Sequence, residues 1–404
     1  MPRAACATKK HKETTFAPDV AGLLSKPLNT TTRRVFIAAT RQNDGKTTTC
    51  LGLYGALRAL GLQVGYIKPV AQRIIEVDGA QVDEDTQLIN KIYDVGTPIE
   101  AMSPVAIDPC FTRRYLEAPH ELRPKIIDRI CRCFDRAAFQ KDIIIIEGSG
   151  HAGVGSVFSC SNAHNARLLG SKCILVAGGG IGKPIDEIAM NKALLDAMNV
   201  ECIGVILNKV IEDKKNFITE FAGRALKQLG LPLLGVLTHT PTLTHPNLSQ
   251  IVSEIGGEWL HHPLSPAAAL DHTGGERVEK IVIGAMSANN VLEHADPNAL
   301  FIIPGDRDDV LFALIAGMGQ YRMRVACGII LTNGYLPSGR IRAMLAQTDM
   351  NVVATSAESY DVARKINAMT VKIQPGDADK IPVVERLIRE NINLPALLKK
   401  LQRD

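Results

Sequence analysis

Residues 142–147 read Asp-Ile-Ile-Ile-Ile-Glu, and four consecutive isoleucines leave a strand with no polar face to offer water. Such a strand belongs inside a parallel sheet that is covered on both sides. The same pattern recurs along the chain. Short apolar, β-branched runs at 34–40, 63–70, 172–177, 202–208 and 231–237 are separated by segments of helical spacing at 46–60, 119–140, 183–198 and 212–229. Continuous strands alternating with helices predict a doubly wound parallel α/β domain over residues 34–240, with the isoleucine strand in the middle of its sheet.

The stretch 238–246 (THTPTLTHP) breaks that rhythm and reads as a linker. Shorter strand-like runs follow at 278–285, 300–303, 325–331 and 351–355, with helical segments near 307–321, 338–347 and 358–369. They predict a second, smaller α/β domain over 247–392, with C-terminal helices continuing to 404, the last begun by Pro395 in its first turn. Residues 1–33 carry Arg3, Lys9, Lys10, Lys12 and Lys26 against two acids and show no periodicity. They lack a signal peptide's apolar core and are expected to form a flexible basic tail.

Composition removes several classes of function. A net charge of +4 over 404 residues gives no concentrated basic face, and 4% aromatic residues with one Trp argue against a base-stacking platform, so no nucleic-acid partner is expected. No run approaches the eighteen or so apolar residues of a membrane helix, so no membrane partner is expected either. Nine scattered cysteines, with Cys131 and Cys133 paired to no second cysteine pair or nearby His, read as free thiols of a cytoplasmic protein rather than a zinc site.

The strongest chemical signal is Ala39-Thr-Arg-Gln-Asn-Asp-Gly45-Lys46-Thr47, between the first strand and the first long helix. A phosphate group needs backbone N–H donors from a tight loop, a helix N-terminus behind it, and a cation reaching outward. Gly45 lets the backbone approach, Lys46 supplies the cation, and Thr47 can ligate Mg²⁺, with Thr48 continuing the first turn. The usual pattern has Gly where this chain has Thr40. Gly148-Ser-Gly150-His-Ala-Gly153 is formally a dinucleotide motif, but no acid lies between Glu147 and Asp186 to hold a ribose. The glycines are therefore expected to wrap a phosphate or carboxylate, with Gly178–Gly182 as a second wall. Arg113 beside Arg114 could present a cation to an anionic substrate, and His151 could carry a proton or act as a hydrogen-bonding fixture.

These motifs have a specific resemblance. The loop with a small residue six before Gly45, followed by Lys68-Pro69-Val70-Ala71, Glu147-Gly148-Ser149-Gly150 and Asn208, resembles dethiobiotin synthetase over about residues 33–240. The variant Lys68-Pro-Val-Ala-Gln72 is closer still to the N-terminal region of long bacterial phosphotransacetylases. The resemblance implies that Asn208 contacts an adenine, that Thr47, Asp85 and Glu147 surround Mg²⁺, and that Lys68 faces the γ-phosphate or an acyl substrate. In the run Val82-Asp83-Glu84-Asp85, either neighbouring acid could replace Asp85. Gln72 and His151 stand where dethiobiotin synthetase has Ser and Gly. Asp271-His272-Thr273-Gly274-Gly275 differs by one residue from the motif that names the DRTGG domain, and Ile283–Met286, Pro304–Asp309 and Leu331–Gly334 resemble that family as well.

Two functions follow as expectations. The first is an ATP–Mg²⁺-binding regulatory protein whose second domain reads the nucleotide state, with an acyl-phosphate-pathway enzyme as the candidate partner. The second is an ATP-dependent ligase in which Lys46 and Lys68 are catalytic, and Gly148, Gly150, His151 and Arg113 meet a small anionic substrate. Acetyl transfer is not expected, because the resemblance covers only the non-catalytic region of the phosphotransacetylases. A homo-oligomer is expected from the family's habit of pairing phosphate-loop domains.

Overall fold

A computed structural model describes residues 23–262, 277–321 and 325–402, with the side chains of 319–321 left undescribed. The first domain is built on six parallel strands: β1 (Arg33–Ala39), β2 (Val64–Ile67), β5 (Ile143–Glu147), β6 (Lys172–Gly178), β7 (Cys202–Val210) and β8 (Leu233–Thr238). Between β2 and β5 the chain makes an antiparallel hairpin, β3 (Ile74–Val77) with β4 (Ala80–Asp83). The sheet order is β8-β7-β6-β1-β5-β2. The isoleucine strand is therefore interior but one place from the edge. Its four isoleucines are at most 1% exposed because both faces are covered.

The chain runs from β1 outward to β2, returns through β5, and then crosses to β6 on the other side. That reversal puts a crevice at the carboxyl end of β1, the usual place for a ligand in an open α/β sheet. Helices α1 (Lys46–Ala59) and α2 (Glu84–Tyr93) cover one face, and α3 (Pro119–Ala138), α4 (Lys183–Ala197) and α5 (Lys215–Gln228) cover the other.

The second domain begins with α6 (Leu248–Ile255), capped by a reciprocal Asn247–Gln250 box. Its sheet runs β9 (Glu258–His261), β13 (Asn351–Ala354), β12 (Gly328–Thr332), β11 (Ala299–Pro304), β10 (Lys280–Ile283). Four strands are parallel, and β9 is antiparallel on the edge. Helix α7 (Asp308–Tyr321) covers one face, while α6 and α8 (Ser359–Ala368) cover the other. The Asp271–Gly275 motif lies outside the described residues.

Two expectations change. The closing helices α9 (Lys380–Asn391) and α10 (Leu394–Lys400) do not finish the second domain. Val384, Ile388, Ile392, Leu394, Leu397 and Leu401 join the core between α1 and the first sheet. Burying six such side chains is worth roughly 10 kcal/mol before ordering costs, enough to decide which domain holds the helices. Nor are residues 24–29 a free tail. The Leu24 amide donates to Asp128 at 2.8 Å, and the Leu28 and Asn29 amides donate to Asp135 at 2.9 and 2.7 Å, so the segment lies along α3.

Among the described residues no helix is long and apolar enough to cross a membrane. Eight of the cysteines are free thiols, and Cys6 lies outside the described residues.

Candidate functional site

A crevice opens at the carboxyl ends of β1, β2 and β5, bounded by Gln42, Asn43, Gly45–Thr48, Lys68, Gln72, Arg73, Asp83, Asp85 and Glu147–Gly150. The loop after β1 reaches α1 through Gly45, whose φ of +97° only glycine adopts without strain. A Cβ there would also lie 2.0 Å from the Asn208 amide nitrogen. That amide donates to the Asp44 carbonyl at 2.9 Å, and the Lys209 ammonium donates to the Asn43 carbonyl at 2.8 Å. Inside the loop the Asp44 carboxylate accepts from Thr40 Oγ1 and the Arg41 amide. Thr40, where the usual pattern has glycine, thus becomes a hydrogen-bonding brace.

Behind the loop, the first amides of α1 have no carbonyl one turn earlier to accept them, so they face the crevice as donors. Lys46 reaches into the same space. It is 9% exposed and makes no hydrogen bond or ion pair among the described residues. Burial lowers its pKa, and Glu147 partly opposes that shift. A buried, unpaired ammonium beside orphan amides is arranged for an anion.

Across the crevice the charges are already matched. Lys68 donates to Asp83 at 2.8 Å and to Asp85, and its ammonium lies 3.9 Å from Glu147. Burial alone would lower the Lys68 pKa, but Asp85, Glu147 and Asp83 together raise it. Asp85 is pulled two ways: burial raises it, while Lys68 and then Lys372 lower it further, to about 2. Glu147 is pushed up by burial and accepts from Thr47 Oγ1 at 2.7 Å and from Tyr66 at 2.9 Å.

The run Val82–Asp85 divides its labour. Asp83 caps α2 by accepting from the Asp85 amide, Asp85 points at Lys68, and Glu84 turns outward to Arg73 and Lys372.

Thr47, Asp85 and Glu147 supply hard oxygen donors of the kind Mg²⁺ takes. Among the described residues no group of three or more His, Cys, Asp or Glu is arranged around a metal position. The fit is to a cation held by a hydroxyl, a carboxylate and a nucleotide's own phosphates.

The structure brings together Gly45, Lys46, Thr47, Thr48, Lys68, Asp85, Glu147, Gly148, Gly150 and Asn208. It does not bring His151 or Arg113. His151 is exposed and outside the crevice lining, its Nδ1 accepting from the Gly153 amide at 3.2 Å. Arg113 is exposed on the short helix Phe111–Glu117, away from the crevice. Gly178–Gly182 do not line it either; Gly178 lies under Arg41.

Sequence reasoning missed the remaining wall. Thr238, His239, Thr240, Leu243 and Thr244 of the linker line the crevice, as do Thr370–Ile373 on the chain's way back from α8. A Thr-rich linker beside a phosphate loop was a usable signal; the isolated Lys372 carried none.

A family profile described as an AAA domain (AAA_26) matches residues 33–247, and a DRTGG domain profile matches residues 251–369. The phosphate acetyltransferase of Pseudomonas putida is 25% identical over 373 residues, covering 89% of this chain and 50% of that protein. The ATP-dependent dethiobiotin synthetase BioD of Clostridium kluyveri is 25% identical over 228 residues, covering 54% of this chain and 90% of its own length. The chain spans about half the length of the phosphate acetyltransferases it matches.

Two solved structures are similar at low scores. MinD from Pyrococcus horikoshii, complexed with Mg-ADP, has a TM-score of 0.34 and 17% identity over 52% of this chain and 83% of that one. The CBS and DRTGG domains of Clostridium perfringens pyrophosphatase, with the activator diadenosine tetraphosphate, have a TM-score of 0.25 and 16% identity over 46% of this chain and 86% of theirs. Scores of that size carry no argument about the site. With the phosphate loop formed as described and more than half its length matched, the chain belongs to the AAA domain family AAA_26, with a DRTGG domain following the phosphate-loop unit.

Proposed function

We propose that this protein binds ATP–Mg²⁺ at the phosphate loop and uses the bound state to regulate, in the manner of a sensor joined to an acyl-phosphate-pathway enzyme. The observation that carries the reading is the buried, unpaired Lys46 ammonium beside the α1 N-terminus. In this reading Gly45, Lys46, Thr47 and Thr48 hold the phosphates, Asn208 supports the loop toward the base, and Thr47 with Asp85 or Glu147 holds the cation. Mg²⁺ would neutralise phosphate charge; the chain's own residues bind and orient.

The ligase reading asks Lys68 to hold an anionic substrate. Its ammonium already faces Asp83, Asp85 and Glu147, so an anionic substrate would have to compete with the carboxylates that pair with it. His151 and Arg113, the other candidates for that substrate, stand outside the crevice. The sensor reading is therefore preferred. The relatives are compatible with nucleotide binding under either reading: a phosphate acetyltransferase is similar over 89% of this chain and an ATP-dependent dethiobiotin synthetase over 54%.

Titration calorimetry tests the proposal. ATP with Mg²⁺ should release heat with the wild-type chain, and Lys46→Ala should abolish it; a silent wild-type chain refutes nucleotide binding. ADP release with candidate carboxylates should stay at background. Turnover that Lys68→Ala removes would instead establish the ligase.

A further inference from the structure

The two connections between the domains both pass along the phosphate-loop crevice. The outgoing one contributes Thr238–Thr240, Leu243 and Thr244, and the returning one contributes Thr370–Ile373. They are tied together beneath the surface. Lys380 is fully buried and donates to the carbonyls of His245 at 3.0 Å and Leu243 at 3.3 Å. Arg277, at the start of the second domain's sheet region, pairs with Asp377 and Asp379, each at 2.7 Å. The returning segment is thus held at a defined height over the crevice.

At its centre stands Lys372. Its ammonium donates to Glu84 and lies 3.7 Å from Asp85, which in turn holds Lys68. Its carbonyl accepts from Gln250 Nε2 at 3.0 Å, and Gln250 belongs to the capping box of α6. One residue therefore touches the acidic wall of the first domain with its side chain and the first helix of the second with its backbone. Its side chain is 31% exposed, so a four-carbon stem is free to swing.

We infer that Lys372 is a nucleotide-binding residue, delivered to the phosphate-loop site by the segment leaving the second domain, and that it distinguishes a nucleoside triphosphate from a diphosphate. The inference rests on the nucleotide reading above and extends it. Lys46 is the unpaired cation of the loop side; Lys68 is neutralised by three acids. A third phosphate would add negative charge near those acids, and a mobile cation on that wall can answer it alongside Mg²⁺ and Lys46. Lys372 can leave without stranding a buried charge, because Glu84 is itself 35% exposed and keeps Arg73 at 3.1 Å, while the buried Asp85 keeps Lys68; Arg73, the other exposed cation of that wall, then stays on Glu84. As a structural tie alone, a pair about one-third exposed contributes little and has no reason to discriminate nucleotides.

Calorimetry on the full chain with Mg-ATP and Mg-ADP separates the outcomes. Lys372→Ala should weaken ATP about tenfold, the size of one charge-assisted hydrogen bond, while ADP changes less than about twofold. Lys372→Arg should recover most of the loss. Glu84→Gln, which frees Lys372, should strengthen ATP a few-fold, and it decides the matter if Lys372→Ala does not fold. An unchanged ATP-to-ADP ratio in Lys372→Ala, with a wild type that binds both, overturns this inference alone. A wild type that binds neither overturns it together with the nucleotide reading.

Discussion

Gly52 and Gly55 stand one turn apart on α1, facing α9, and replacing each with alanine should have different results. In a helix interior either change gains about 1 kcal/mol of propensity. At Gly52 the new Cβ would lie 2.3 Å from Ile388 Cγ1 and 2.9 Å from the Val384 carbonyl oxygen. Ordinary carbon contacts sit near 3.5–4.0 Å, so α9 must retreat by about 1 Å or more, and its backbone oxygen cannot rotate away. Overpacking of this kind costs about 1–3 kcal/mol, so Gly52→Ala should be destabilising by about 1 kcal/mol net. At Gly55 the three nearest atoms all belong to the Glu385 side chain, the closest at 2.2 Å. That carboxylate can swing aside, at the loss of its 2.8 Å hydrogen bond from Tyr93, about 1 kcal/mol. Gly55→Ala should therefore be close to neutral. Urea melts followed by far-UV circular dichroism give the comparison. Fluorescence of Trp259, which sits on β9, follows the second domain separately and should shift less. A Gly52→Ala protein as stable as wild type, or more so, would refute the packing of α9 on α1.

Two further outcomes follow from groups already described. Asp85 titrates at about 2 against an ordinary 3.8, because Lys68 and Lys372 outweigh the burial that would raise it. A lowered carboxyl stabilises the fold above its unfolded pKa and loses that contribution as pH falls through the folded one. The urea stability of wild type minus that of Asp85→Asn should therefore fall by about 2 kcal/mol between about pH 5 and pH 2; a flat difference would contradict the charge assignment. Asp135→Ala removes the acceptor of the Leu28 and Asn29 amides. Their hydrogen exchange should quicken about fivefold or more, with the first-domain melting midpoint barely moved; unaltered exchange would mean the segment is anchored otherwise.

The strands and the phosphate loop were legible because each is specified by its own residues. Unbroken runs such as 143–146 have no solvent face, and Gly45-Lys46-Thr47 between a strand and a helix has one geometry that suits it. Partners contributed from elsewhere were not legible. Lys68 reads as a free cation until the β3–β4 hairpin brings Asp83 and Asp85 beneath it. The amphipathic pattern of 380–400 says only that one side is buried, and either domain could have buried it. Gly52 and Gly55, spaced three apart on α1, lie where α9 comes close, and sequence reasoning passed over them. His151 and Arg113 were named from residue type and nearness in sequence, and both are exposed and outside the crevice lining.

The allegiance of α9 and α10 to α1 sets a timetable for biosynthesis. The first domain is topologically interrupted: its sheet ends at Thr238, and the helices that seal one face begin at Lys380. About 140 residues must leave the ribosome between those events, some 10–30 s at ordinary elongation rates. Throughout that interval Leu51 and its neighbours on the α1 side lack their cover, and a nascent chain with an open apolar face is a client for chaperones. The second domain has that interval to fold, and by bringing residues 247 and 370 together it returns the chain to the face awaiting its last two helices. Substitutions that slow the second domain should thus appear first as aggregation of the phosphate-loop domain, far from the altered residue.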